Sequence, residues 1–254
     1  MRHIERNAPS TALQQFLAEC KSSPEWRHAL DSGDVEKVRN YFDGLSKDLI
    51  RTELWESQHH VCAYCNRRIY NDNHSVIEHI LPLSLYPEHA LDFSNMVLCC
   101  DGGRHSESID GRRSLCCDAS KGQDELAVLN PLVFYPEQHI MYDRKTLLMD
   151  VDEKDSFHDE IFHDIDLLRL NGYIDSSGNL KDTTSRILYS RNQACESVKV
   201  LIDKMKKRNE YTPACIDKEI RKLINMPEWT PFIGVIIYFL EKERRKSEFY
   251  KARQ

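Results

Sequence analysis

Six of the nine cysteines fall between residues 62 and 117, as Cys62-Ala-Tyr-Cys65, Cys99-Cys100 and Cys116-Cys117. A Cys-X-X-Cys turn brings two sulfurs to one tetrahedral ion, and further cysteines downstream complete such a site. Four ligands are needed and six candidates exist. Cys62, Cys65, Cys100 and Cys117 are the expected set for a structural zinc. Cys100 leads directly into the Asp101-Gly102-Gly103 turn, and Cys117 precedes Asp118-Ala-Ser-Lys121. Cys99 and Cys116 are expected to be small buried apolar groups beside the ligands, and each remains the alternative to its neighbour. Cys20, Cys195 and Cys215 lie on helical patterns and are expected to have ordinary packing roles.

The rest of the composition bounds the problem. The chain has 254 residues with a formal net charge of −6, room for one large domain or two small ones. The longest apolar run, Phe232–Leu240, is too short to cross a membrane and reads as a buried helix. Met1-Arg-His-Ile lacks the apolar core of a signal peptide. A cytoplasmic protein is expected, in which paired thiols stay reduced and bind metal more often than they cross-link. The acidic balance disfavours a protein that coats nucleic acid unaided. Charge is nonetheless uneven. Residues 199–254 carry 14 Lys/Arg against 8 Asp/Glu, whereas Asp150–Asp166 holds eight acids and one lysine. The acidic run reads as a solvated loop or helix face.

Hydrophobic spacing and capping residues predict helices over Ala12–Lys21, from Pro24 through Leu30, over Val35–Phe42 and over Leu45–Ser57. Residues 126–150 read as loop and strand. Residues 157–254 read as helix again, over Phe157–Leu170, Thr184–Arg208 and Pro231–Lys251. The expected fold class is α+β and mostly helical. Its expected regions are an N-terminal helical part (1–58), a metal-stapled core (59–125) and a mainly helical C-terminal part (126–254).

Between the cysteine pairs stand Glu78-His79-Ile80-Leu81-Pro82 and Asn95. Phosphodiester cleavage needs a water, a base to deprotonate it and a cation for the developing charge. A hard cation takes carboxylate oxygens and keeps several waters. Glu78 and His79 supply a carboxylate and a potential base on adjacent residues. In an extended segment they point to opposite faces, so one can hold metal while the other addresses water.

With Cys62, Cys65, Glu78-His79-Ile80 and Pro82, Asn95 before Met96-Val97-Leu98, and Cys117-Asp118-X-X-Lys121, the chain resembles the HNH endonuclease superfamily in its zinc-stapled branch. That resemblance implies a ββα-metal core and a catalytic Mg²⁺ or Mn²⁺. It implies His79 as general base, Glu78 and Asp118 as ligands of the catalytic ion, and Asn95 as the brace of the ββα turn. Lys121 is then placed to contact phosphate. Two departures stand out: an aspartate where His or Asn is usual, and sixteen residues between Cys100 and Cys117 where two are usual. Arg112 and Arg113, in that insertion, are expected to reach substrate.

The wider layout, with Leu129-Asn130-Pro131-Leu132 and the apolar tail, is similar to the putative HNH endonucleases encoded with bacterial retrons and in Septu-type antiphage systems (PtuB-like). This implies a nuclease effector of antiviral defence acting on nucleic acid, DNA favoured and RNA such as tRNA open. The implied partner is an ABC/SMC-like ATPase (PtuA-like), joined in the retron setting by a reverse transcriptase and its msDNA. No membrane is involved. No P-loop sequence occurs here, so any nucleotide-driven step belongs to a partner. The acidic net charge, the missing recognition domain and the apolar tail all point to such a partner. The competing readings are a non-catalytic zinc module that binds nucleic acid or scaffolds a complex, and a stand-alone restriction-type nuclease.

Overall fold

Two antiparallel strands and one short helix position the candidate site, and helices on both sides of them in sequence build the walls. The computed structural model describes residues 1–72, 74–106 and 114–251. Arg112 and Arg113 lie outside the described residues, so the expectation placed on them has no structural counterpart.

Four helices open the chain: α1 (Thr11–Ser22), α2 (Pro24–Asp31), α3 (Val35–Gly44) and α4 (Asp48–Ser57). Ser10, Ser23 and Asp34 accept backbone N–H groups at the starts of α1, α2 and α3, satisfying donors that a helix start leaves unpaired. Leu13 and Leu17, Val38 and Phe42, and Ile50 and Leu54 are buried pairs spaced four residues apart, as an amphipathic helix requires. The last helix starts at Asp48 rather than Leu45, because Leu45 is extended and ends α3.

The strands β1 (Ser75–His79) and β2 (Met96–Cys100) pair antiparallel, with Glu78 opposite Val97 and His79 opposite Met96. The helix α5 (Asp118–Lys121) follows. Next come α6 (Pro136–His139), the pair β3 (Ile140–Tyr142) and β4 (Met149–Val151), and α7 (His158–Leu167). The remainder is the pair β5 (Tyr173–Ile174) and β6 (Leu180–Lys181), then α8 (Ile187–Lys207), α9 (Pro213–Ile224) and α10 (Ile233–Lys251). The fold is α+β: helices supply most of the regular structure among the described residues, beside three two-stranded sheets.

The stretch after α7, between the helices expected over Phe157–Leu170 and Thr184–Arg208, is a hairpin built by turn chemistry. Asp175 accepts the N–H groups of Ser177 and Asn179, and Gly172, at φ +78°, passes so close to Lys181 that a Cβ would lie 2.2 Å from its carbonyl oxygen. The acidic run is not wholly solvated. Asp164 is fully buried, and its carboxylate accepts the N–H groups of Ala127, Val128 and Leu129 at 2.7–2.8 Å.

The apolar tail is also spent inside the molecule. Phe232, Ile233, Val235, Ile236, Ile237, Phe239 and Leu240 are all buried, and α10 packs on α8 and α9. It is the buried helix expected of that run, and so does not itself supply the apolar docking face on which the expectation of a partner drew. It braces the first cysteine turn instead: Phe232 N–H donates to the Asn66 carbonyl at 2.7 Å, and Trp229 N–H to the His59 carbonyl at 3.0 Å. One continuous apolar core runs from Met1 to Leu240 and draws on all three expected regions. No helix among the described residues is long and apolar enough to cross a membrane.

Candidate metal centre and candidate active site

The first cysteine turn is built by backbone geometry. Asn66 takes φ 59°, and its N–H donates to the Cys62 carbonyl at 3.0 Å. Arg67 N–H points at the Cys65 sulfur at 3.5 Å, a contact that favours a thiolate. Cys100 arrives as the last residue of β2. Cys117 arrives at the start of α5 with φ 56°, a conformation that costs a non-glycine residue about 1–3 kcal/mol. Its N–H is held by the Leu168 carbonyl at 2.9 Å, and Cys116 N–H by that of Gly102 at 3.0 Å. Gly102 is needed for this approach: at φ +63°, a Cβ there would meet the Cys116 oxygen at 2.3 Å.

Cys62, Cys65, Cys100 and Cys117 are buried, with all four sulfurs within 4.8 Å of one another. Cys62 Sγ lies 3.9 Å from Cys117 Sγ, and Cys65 Sγ 3.8 Å from Cys100 Sγ. A tetrahedral ion with Zn–S bonds of about 2.3 Å has a sulfur–sulfur edge of about 3.8 Å. The donor set therefore fits a zinc-like metal, and no residue other than these four is required. Cys99 and Cys116 are buried outside the set. The four thiols cannot all ionise unaided. Burial opposes the Cys62 thiolate, yet hydrogen bonds from Cys100, Cys117 and Cys65 outweigh it and hold that thiol well below its usual range. Hydrogen bonds with Cys100 and Cys116 push Cys117 well above it. A cation would remove that conflict.

Beside this centre, a cleft of about 180 Å³ is lined by Glu78, His79 and Asp118, with Arg39, Phe42 and Asp43 of α3 on its wall. His79 Nε2 lies 3.0 Å from the Ala90 carbonyl oxygen. A carbonyl only accepts, so Nε2 carries the proton and Nδ1 keeps its lone pair. Nδ1 has no partner among the described residues. Phe42 meets the imidazole edge-on at 4.7 Å. Burial holds His79 down to about 4, so the ring is neutral at neutral pH.

Asn95 ties the loop between β1 and β2. Its Oδ1 accepts Leu81 N–H at 2.7 Å, and its Nδ2 donates to the carbonyls of Leu81 at 3.1 Å and His89 at 3.4 Å. That fixes the segment carrying Ala90, the partner of His79.

Glu78 and Asp118 share the cleft, but each already has a cation. Lys121 Nζ is 2.8 Å from Glu78 Oε1, and Arg104 Nη1 is 2.8 Å from Asp118 Oδ2. Burial, then the nearby charge of Asp118, pushes the Glu78 carboxyl up to about 8, with Lys121 opposing. The Lys121 side chain is 0% exposed, and its Nζ also reaches the His79 carbonyl at 3.4 Å. Lys121 thus does not face the cleft to meet phosphate as its place in the motif suggests; it is the buried counter-ion of Glu78. Among the described residues the cysteines form the one cluster of three or more metal-ligating groups. Glu78 and Asp118 offer a pair of carboxylates, enough for a hard cation that keeps most of its waters.

The Arg39–Phe42–Asp43 wall was not foreseeable from the motif, because α3 ends at Gly44 and the whole of α4 separates it from Cys62. Only the helical spacing of Arg39, Phe42 and Asp43 on one face carried any signal. Compared with known proteins, the chain matches no family model, and no curated protein matches it significantly.

Proposed function

We propose that this chain is a metal-dependent phosphodiester hydrolase of the HNH type, with a structural zinc on Cys62, Cys65, Cys100 and Cys117. The observation that carries the reading is His79. Its Nε2 proton is committed to the Ala90 carbonyl, its Nδ1 is without a protein partner among the described residues, and its ring lines one cleft with two carboxylates. A neutral, oriented imidazole with an available lone pair is what a general base for water needs. Mg²⁺ or Mn²⁺ on Glu78 and Asp118 would supply positive charge for the developing phosphate and leaving oxygen. Asn95 holds the loop that sets the imidazole, and Phe42 limits its rotation. The cysteine centre joins the first turn, the end of β2 and the start of α5, which keeps Asp118 against Glu78.

The resemblance to the retron- and Septu-associated proteins supplies the setting: an antiviral effector, DNA as the favoured substrate with RNA as the other option, and an ATPase partner docked on part of the helical flanks. The second reading, a non-catalytic zinc module, has one observation in its favour: both carboxylates already have cationic partners.

Metal dependence separates the two. With the protein alone and co-purified with the products of neighbouring genes, cleavage of DNA and RNA is titrated with Mg²⁺ and Mn²⁺. Glu78→Ala and Asp118→Ala are expected to raise the metal concentration needed while retaining zinc. Unchanged metal dependence in both, or no cleavage by the parent under any of these conditions, favours the zinc module.

A further inference from the structure

Resting on that hydrolase reading, we infer that Arg39, on α3 and outside the cysteine-stapled core, is the residue that grips the scissile phosphate.

Acidic side chains outnumber cationic ones in the lining of the cleft. Glu78, Asp118 and Asp43 line it, and Arg39 is the cationic lining residue among the described residues. The other cations nearby are already engaged: Lys121 with Glu78, Arg104 with Asp118, and Lys47 with Asp43 at 3.0 Å. Arg39 is exposed and makes no hydrogen bond or ion pair among the described residues. Its position is nevertheless fixed by its helix. Phe42, three residues on, is buried and packs against the His79 ring, so Arg39 stands on the same face about one turn away.

A phosphodiester entering this cleft meets a base and two carboxylates. One metal ion offsets the carboxylates but leaves a non-bridging oxygen without a donor. A guanidinium is suited to that oxygen, since its planar fork donates two parallel hydrogen bonds and is always charged. The contact is to backbone phosphate, so it carries no base preference.

The test compares Arg39→Ala, Arg39→Gln and Arg39→Lys with the parent and with His79→Ala. Arg27→Ala, an exposed arginine on α2 that does not line the cleft, is the control. Substrates are thymidine 5′-p-nitrophenyl phosphate, which needs no partner for recognition, and plasmid DNA with the co-purified neighbours, both with Mn²⁺. Arg39→Ala and Arg39→Gln should lose roughly 10- to 100-fold in kcat/KM, as expected for one charged hydrogen-bonding group. Arg39→Lys should recover part of the loss, and zinc content and thermal midpoint should not move. On DNA, the log–log salt slope should shrink by about one in Arg39→Ala. Arg27→Ala should match the parent.

If the parent cuts, His79→Ala does not, and Arg39→Ala keeps the parent's kcat/KM and salt slope, the inference is wrong and the hydrolase reading stands. If the parent cuts neither substrate, or His79→Ala cuts as well as the parent, both fall together.

Discussion

The buried pair of Lys121 and Glu78 gives the sharpest check on the architecture of the cleft. In the sequence, Lys121 sits where a phosphate contact is expected; in the structure its ammonium is sealed under the cleft, 2.8 Å from a carboxylate. Lys121→Met keeps the length of the side chain and removes the charge. Removing one partner of a buried ion pair costs about 3–5 kcal/mol, because the other charge is left unpaired. Glu78 can relieve part of that cost by taking a proton. Its carboxyl is already up at about 8, against 4.5 unfolded, with Lys121 pulling it down; losing Lys121 moves it further up. A carboxyl whose folded-state pKa is raised contributes stability that is fully present below its unfolded value and lost as pH rises through the folded one. Below about 8 Glu78 carries its proton in both proteins, so the deficit of Lys121→Met should be nearly constant between pH 4.5 and 7 and grow only as pH rises past 8, by up to about 1.4 kcal/mol per pH unit. In a chain of this size about 1.4 kcal/mol corresponds to an extra fall in Tm of roughly 3–6 °C at pH 9. Thermal and urea unfolding followed by circular dichroism at the three pH values measures it. Lys121→Met/Glu78→Gln should recover most of the loss, since no buried charge then lacks a partner. A Lys121→Met protein as stable as the parent at every pH, but weaker on DNA, would mean that Lys121 faces substrate and that the cleft is built differently.

Three further outcomes are expected. Cys62→Ala/Cys65→Ala should lose bound zinc and the folded core together, whereas Cys99→Ala and Cys116→Ala should keep one zinc per chain by elemental analysis; zinc retained in the double variant refutes the ligand set. Gly102→Ala should lower zinc affinity and stability, because its Cβ has no room beside the Cys116 carbonyl; a thermal midpoint and zinc titration equal to the parent's would contradict that packing. Because burial holds His79 near 4 against 6.5 unfolded, the unfolded chain takes up a proton that the folded one refuses. Stability should drop as pH falls from 6.5 towards 4, by up to roughly 3 kcal/mol, and His79→Gln should flatten that part of the curve in urea titrations.

The legible parts of this molecule were those set by local spacing. Cys62 and Cys65 are joined by one turn, and the residues after Cys100 and Cys117 marked which cysteine of each pair leaves the strand or enters the helix. Helix starts were readable at Ser10 and Asp34, where a capping side chain acts on its own next turn, and at Pro24, whose ring suits a first helical turn. What escaped the sequence depends on distant partners. Asp164 sits in an acidic run, yet it is buried because three backbone N–H groups from residues 127–129 converge on it. Lys121 reads as an exposed helix-start lysine until β1 is laid against α5. The α3 wall of the cleft has no motif, since Arg39 and Phe42 meet His79 only after the chain folds back. The hairpin at 173–181 has strands of only two residues each, too short to leave an alternating pattern.

The central claim is that His79 is the base of a hydrolytic site and that the cysteine centre is separate from the chemistry. The direct measurement is the cleavage rate of folded, zinc-loaded His79→Ala beside the parent, with Mg²⁺ or Mn²⁺ and with zinc content determined on the same samples. The account predicts a loss of roughly 10²–10⁴-fold in rate, the range of general-base catalysis, with unchanged zinc and an intact fold. Equal rates in the two proteins would contradict it and leave the zinc-module reading in its place.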